Sequence, residues 1–346
     1  MAQDFSLHGI HVPLITPFTR AGEVAVDALE ALAHQVLDEG ATGIVALGTT
    51  GEAAALDAAE SDLVTDVCAR VCRERGAALT VGAGASGTGA AAAALGRLAK
   101  WPEVGAALVS VPSFVRPGAA GVLAHFARLA ELSPVPLVVY HIPYRTGQQL
   151  DAAALRALGE LPGVAGMKYA GGGIGEEAVA LLGGLPEGFA VLAGDDVYLS
   201  PLLAMGAAGG ILASAHLATA RFAELAAAWR DGDVPRARTL GHGLARLSAA
   251  LFAEPSPVVL KGVLHAQGRI PTPDVRLPLL PAHGATVSAA LDRLAKLPPG
   301  WPAPFGSWRA CREATPVGGS QTTGEMPESG MPMGDLSVSP EGFESP

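Results

Sequence analysis

Eight short apolar runs, each followed by a stretch of helical periodicity, constrain this chain more than any other feature. The runs are "GIHVPLITPF" (9–18), "GIVALG" (43–48), "ALTVGAG" (78–84), "AALVSVP" (106–112), "PLVVYHI" (136–142), "VAGMKY" (164–169), "AVLAGD" (190–195) and "GGILAS" (209–214). They are nearly continuous in apolar residues, as strands are when both faces of a parallel sheet are covered. Between them lie segments such as "VDALEALAHQVLDEG" (26–40) and "AAESDLVTDVCARVCRERG" (58–76). The class is α/β, and the same alternation feeds either a doubly wound open sheet or a closed barrel. Eight strand–helix units within about 210 residues favour a (β/α)8 TIM barrel, typically ~250 residues long.

Further helical segments follow the eighth strand at 218–232, 234–253, 257–268 and 284–296. The first can close the barrel; the others are expected to pack as a C-terminal helical extension. From about Leu297 the chain is rich in Pro, Gly and Ser without periodicity, which predicts a disordered tail. The expected organisation is therefore a barrel over 1–232, a C-terminal helical region over 233–297 and a disordered tail over 298–346.

Net charge is −10 with both signs interspersed, which argues against a nucleic-acid surface or a polybasic membrane face. Four tryptophans and four tyrosines are too few for a base-stacking platform. No run reaches the ~18 apolar residues that span a bilayer, and the start lacks a basic segment leading into an apolar one. Cys68 and Cys72 lie four apart and Cys311 falls in the tail, without redox-motif or zinc-knuckle spacing. All three are expected to be reduced, and the protein to be cytoplasmic.

Several motifs compete for the chemistry. Gly82, Gly84 and Gly87 form a GxGxxG between a strand and a helix. A dinucleotide site also needs an acid near the end of the next strand, and that strand ends in "VSVPSF". A tight strand-to-helix turn explains the glycines without a nucleotide. Asp195 and Asp196 could ligate a hard cation, but capping the helix that follows is the commoner use of Asp at such a position. No His, Asp or Glu cluster has ligand spacing, so neither a metal nor a nucleotide cofactor is expected.

"GTTGEAAAL" (48–56) follows the second strand directly. Two hydroxyls and free backbone N–H groups at such a turn can hold a carboxylate or phosphate, or the threonines can simply cap. In a barrel this turn opens on the C-terminal face, where active sites sit. "VVYHIPYRTG" (138–147) puts Tyr140 and His141 at the end of the fifth strand, with Tyr144 and Arg145 beyond. Tyrosine can relay a proton and arginine can clamp a carboxylate, although each has a plain structural use as well.

Lys168 ends the sixth strand in a chain whose 23 basic residues include only four lysines, Lys100, Lys168, Lys261 and Lys296. Arginine stays protonated and cannot be a nucleophile; a lysine can, once an apolar site lowers its pKa. A neutral amine attacks a ketone to give a Schiff base, which stores a carbanion equivalent as an enamine. The alternative is a lysine snorkelling past the strand end to solvent. In a barrel, Lys168, Tyr140 and Thr49 would converge on one mouth as nucleophile, proton relay and relay partner, with Thr50 and Arg145 available for carboxylates.

These residues resemble the dihydrodipicolinate synthase and N-acetylneuraminate lyase family of class I aldolases. "GTTGE", "YxxPxRTG", "GxK" and "AGDD" occur in family order, and "FAEPSPVVLKG" with "RLPLLP" match its C-terminal region, over about Gly9 to Pro281. Arg145 and the double threonine point to the synthase branch. The resemblance implies that Lys168 forms an imine with pyruvate, Tyr140 and Thr49 move protons, and Thr50 holds the pyruvate carboxylate. It further implies that Arg145 binds the carboxylate of aspartate 4-semialdehyde, that backbone atoms of Gly194 and Ile211 complete the pocket, and that no metal or cofactor takes part. Its members are commonly homotetramers built from tight dimers, so a homotetramer or homodimer is expected. The alternatives are another acceptor aldehyde, a 2-oxo-acid dehydratase, or a non-catalytic 2-oxo-acid-binding homologue.

The chain departs from the family pattern at several points. The family's "TPYYNRP" is here "VPSFVRP" (111–117), so Phe114 replaces a tyrosine that completes the proton relay across a dimer interface. A relay without that hydroxyl is expected to be slower or to run through water. Tyr169 stands where an acid is usual and His141 where asparagine is usual. The positions of lysine-feedback residues map onto Ala58, Ser61, Ser86, Ala90 and Ser113, which predicts no inhibition by millimolar lysine.

Overall fold

The computed structural model describes residues 7–297. Its strands are β1 (Gly9–Pro13), β2 (Gly43–Ala46), β3 (Ala78–Gly82), β4 (Val104–Ser110), β5 (Leu137–His141), β6 (Val164–Tyr169), β7 (Ala190–Ala193) and β8 (Gly209–Ile211). They pair in chain order, all parallel, and β8 returns onto β1 through Gly9 with Gly209 and His11 with Ile211. The sheet is therefore the closed barrel that the count of eight predicted, without the two edges of a doubly wound sheet.

Most of the expected strands are trimmed at their ends. The longest run, 9–18, belongs to the barrel strand only as far as Pro13; Leu14 and Ile15 continue as buried loop, and Phe18 forms an isolated antiparallel bridge with Val24. An apolar run reports burial, and burial outlasts the hydrogen-bonded ladder wherever a loop folds back on the core.

Alternation along each strand divides the core in two. Val138 and Tyr140 of β5 join Val45, Leu108, Leu192 and Ile211 in a cluster inside the barrel. Leu137 and Val139 turn the other way, into the larger layer between strands and helices. The helix Ala58–Arg75 of that outer layer opens with a capping box. Asp57 accepts from the Glu60 N–H, and the Glu60 side chain accepts from the Asp57 N–H.

After the barrel-closing helix Ala215–Arg230 come helices Val234–Leu251, Val258–Ala266 and Gly284–Ala295. The first of these packs on Ala215–Arg230 and on Gly284–Ala295, which in turn packs on Val258–Ala266. Cys68 and Cys72 are buried free thiols, and burial pushes the Cys72 thiol up to about 12. Among the described residues no helix is long and apolar enough to cross a membrane. The segment expected to be a disordered tail, with Cys311, lies outside the described residues.

Candidate active site

Parallel register brings the central pair together. β5 and β6 align Tyr140 with Lys168, both on the inward face at the C-terminal end of their strands. Lys168 Nζ lies 4.4 Å from the centroid of the Tyr140 ring, and both side chains are buried. Gly194, just beyond β7, makes room for the lysine. A Cβ at that position would lie 2.9 Å from Lys168 Cγ and 3.0 Å from Cε, closer than packed side chains approach. Ile211, in β8, is buried on the same inner face.

Burial lowers the Lys168 pKa to about 8, while the carboxylates of Asp196 and Asp195 resist the fall and Arg145 assists it. The neutral form of the amine is therefore more populated near neutral pH than in an exposed lysine. Burial raises the Tyr140 hydroxyl well above the ordinary tyrosine range, against the pull of Arg145 and a hydrogen bond with Thr49. Tyr140 thus remains a phenol that can give and take back a proton without residing as phenolate.

Thr49 and Thr50 occupy the 3-10 turn Thr49–Gly51 that follows β2. Thr49 is exposed to the barrel mouth, whereas Thr50 is buried. The turn is tied to the segment after β1 by the Thr16 hydroxyl, which donates to the Gly51 carbonyl at 2.7 Å. Arg145 sits in the short helix Pro143–Thr146 beyond β5 and is exposed, with its guanidinium 5.9 Å from the Tyr144 ring. A cavity of about 610 Å³ is lined by Thr49, Tyr140, Arg145 and Ser110 and runs on to Arg97 and Trp101. Its volume lies in the ordinary range for a small-molecule site. Lys168 is not part of that lining and lies against the Tyr140 ring instead.

Two other sequence features, the glycine motif and the aspartate pair, resolve differently from expectation. Gly82 and Gly84 of the GxGxxG have no left-handed backbone; a Cβ on Gly82 would strike the Leu47 carbonyl oxygen at 2.1 Å, and one on Gly84 the Ser110 side chain at 2.9 Å. Close approach of neighbouring segments, not a tight turn, requires them to be glycine. Asp195 and Asp196 do not cap the helix that follows. Asp195 accepts from the Gly172 N–H at 2.8 Å and Asp196 from the Ser214 N–H at 2.6 Å, so they staple the turns after β6 and β8. Burial raises the Asp196 carboxyl to about 6, partly offset by the Ser214 N–H and by Lys168.

Tyr169 and His141 face away from the site. Alternation along β6 turns Tyr169 to the outer layer, where its ring lies 5.8 Å from that of His141. His141 is fully buried, and the same burial holds its pKa down at about 4, so the ring is neutral. Phe114, in the loop after β4, has a left-handed backbone (φ 71°) and is 95% exposed. Ser86 and Ser113, two of the feedback positions, hydrogen-bond each other at 3.0 Å.

The electrostatic part of Asp195 and Asp196 was missed in the sequence. The signal was present in their adjacency at the end of a strand next to the lysine strand, but the direction of their side chains was not.

Comparison with known proteins places the chain. The Dihydrodipicolinate synthetase family profile matches residues 6–295. The 4-hydroxy-tetrahydrodipicolinate synthase of Neisseria meningitidis serogroup B is 35% identical over 275 residues, covering 80% of this chain and 93% of the relative. That of Synechococcus elongatus is 36% identical over 299 residues, covering 86% and 98%. Among solved structures, the chloride-inhibited dihydrodipicolinate synthase of Acinetobacter baumannii, complexed with pyruvate, superposes with a TM-score of 0.79. It is 33% identical, over 84% of this chain and 99% of that one.

Proposed function

The chain belongs to the dihydrodipicolinate synthetase family, and on that premise we propose that it is a pyruvate-dependent Schiff-base lyase acting as 4-hydroxy-tetrahydrodipicolinate synthase. The observation that carries the proposal is Lys168: a buried amine with its pKa lowered to about 8, in register with a tyrosine of raised pKa.

In this reaction the neutral Lys168 amine adds to the C2 carbonyl of pyruvate, and loss of water leaves a protonated imine. Tyr140, hydrogen-bonded to Thr49, carries the protons of these steps toward the mouth of the barrel. The positive imine nitrogen draws electrons from C3, and loss of a methyl proton yields the enamine. Its C3 forms the new carbon–carbon bond with the aldehyde carbon of aspartate 4-semialdehyde. The amine of that substrate then attacks the imine carbon and displaces Lys168 as the ring closes. The Thr50 hydroxyl holds the pyruvate carboxylate, Arg145 the carboxylate of the aldehyde, and backbone atoms of Gly194 and Ile211 line the pyruvate end.

Arg145, an exposed residue of the cavity lining, supports an acidic acceptor. The outward turn of Tyr169 removes it as a reason to suspect a different one. We also propose that the enzyme works in the cytoplasm as a homotetramer or homodimer. Support for association comes from apolar and aromatic side chains left exposed on the chain, Phe114 at 95%, Val115 at 59% and Tyr144 at 61%. The barrel over 1–232 and the helical region over 233–297 are proposed as the two structural parts that act together.

The test is borohydride reduction with pyruvate, followed by peptide mass mapping and by an assay with aspartate 4-semialdehyde. Labelling at Lys168 with turnover is the expected result. Labelling without turnover assigns a different acceptor, and absence of the label overturns the Schiff-base mechanism.

A further inference from the structure

A second lysine is buried more completely than the first. Lys261, in the helix Val258–Ala266, has no solvent exposure, and its Nζ meets Glu52 Oε1 at 2.5 Å. The same Nζ donates to the Asp274 carbonyl at 2.8 Å and lies 4.0 Å from the centroid of the Phe18 ring. The other Glu52 oxygen accepts from the Arg276 N–H at 2.8 Å. Both carboxylate oxygens are thus committed, and the Glu52 side chain is 2% exposed.

Glu52 is the last residue of the GTTGE motif, and its backbone has a conformation that non-glycine residues rarely take. At φ 54° it is left-handed, and its N–H closes the 3-10 turn by donating to the Thr49 carbonyl at 3.1 Å. Such a conformation persists where the surroundings over-determine it. Here the surroundings come from the C-terminal region. Arg276 also meets Phe18, with its guanidinium 4.4 Å from the ring centroid, and reaches the Ala55 carbonyl and the Glu60 carboxylate. The turn that carries Thr49 and Thr50 is therefore held from behind by residues more than two hundred positions later in the chain.

We propose that Lys261, acting through Glu52, is a positioning residue that sets the Thr49 and Thr50 hydroxyls at the barrel mouth, a role that rests on the function proposed for those threonines. A buried ion pair is a weak source of stability, because an apolar pair of similar volume often serves as well or better. Its directional contacts are a better account of its presence here, since they clamp the one side chain attached to the residue that closes the turn.

The test compares the double variant Glu52→Gln/Lys261→Met with Glu52→Asp and the wild type. The double variant leaves no orphaned charge, so its melting temperature is expected to stay within a few degrees of the wild type. Its kcat/KM for pyruvate is expected to fall about ten-fold or more, since small misplacements of positioning groups are costly. The KM for the aldehyde substrate should move far less, because Arg145 lies in a separate element, the short helix beyond β5. Glu52→Asp keeps the charge but shortens the tether by one methylene, and should show the same split to a smaller degree.

Folded variants that keep both kcat and pyruvate KM within about two-fold of the wild type overturn the proposal. If the double variant does not fold, a normal pyruvate KM in Glu52→Asp overturns it alone. Borohydride trapping of the wild type separates the two levels. A wild type that traps pyruvate beside unaffected variants removes only the role of Lys261, whereas a wild type that fails to trap removes the function on which that role rests.

Discussion

Tyr140 and Lys168 are register partners on adjacent parallel strands, and the lysine nitrogen lies 4.4 Å from the centre of the tyrosine ring. Backbone hydrogen bonding, not loop flexibility, fixes their separation. In the roles proposed for them, nucleophile and proton carrier, two residues held on strands would keep their geometry through the reaction with little reorganisation.

Lys168→Arg preserves the positive charge but removes the amine that can lose its proton. Borohydride should no longer attach pyruvate, and turnover should fall by roughly 10³-fold or more, as when other covalent nucleophiles are removed. Steady-state kinetics and intact-mass analysis check this, and residual labelling at full yield would assign the imine to another residue.

The pH dependence follows from the burial of Lys168. Its pKa is lowered to about 8, so the reactive neutral form grows as pH rises through that value. The kcat/KM for pyruvate should accordingly rise on an acid limb centred near there. Asp196 resists the lowering, so Asp196→Asn removes an opposing charge and should move the limb to lower pH. A limb that moves upward or stays put contradicts the electrostatic assignment.

Gly194→Ala introduces a methyl group within 3.0 Å of the lysine stem and of the Ala170 side chain. The lysine has to shift, and a displacement of this kind is expected to lower kcat by about ten- to one hundred-fold. Thermal melting should change little, because the yielding atoms belong mainly to one flexible side chain. Equal losses of stability and activity would point to a packing defect.

Phe114→Tyr restores a hydroxyl at an exposed position of the loop after β4. If the proton path is completed by association of two chains, kcat should rise several-fold in the oligomer. Sedimentation analysis run beside the kinetics checks the link, and an unchanged rate in an intact oligomer argues for a relay through water.

Lysine at millimolar concentration should leave the rate unchanged. Ala58 and Ala90 offer no polar group, and Ser86 and Ser113 satisfy each other. Rate measurements across a lysine titration check this, and half-maximal inhibition in that range would show that another set of residues binds the amino acid.

The sequence by itself determined the kind of barrel and the kind of chemistry. Eight apolar runs separated by helices have few ways to bury every strand on both faces, and a lysine in one of them points to a step arginine cannot perform. The short motifs around Thr49, Tyr140 and Arg145 stand out in the sequence because a turn or strand end is a local object, although each has a structural use beside the proposed one. Which face each side chain takes was harder to read. Strand parity puts Lys168 inside and its neighbour Tyr169 outside, so an apparent neighbour in sequence is absent from the site. The pairing of Glu52 with Lys261 was not legible at all, since the two are 209 residues apart. Local propensity encodes elements and their chemistry; only closure of the barrel and docking of the C-terminal helices decide which distant charges must share one buried space.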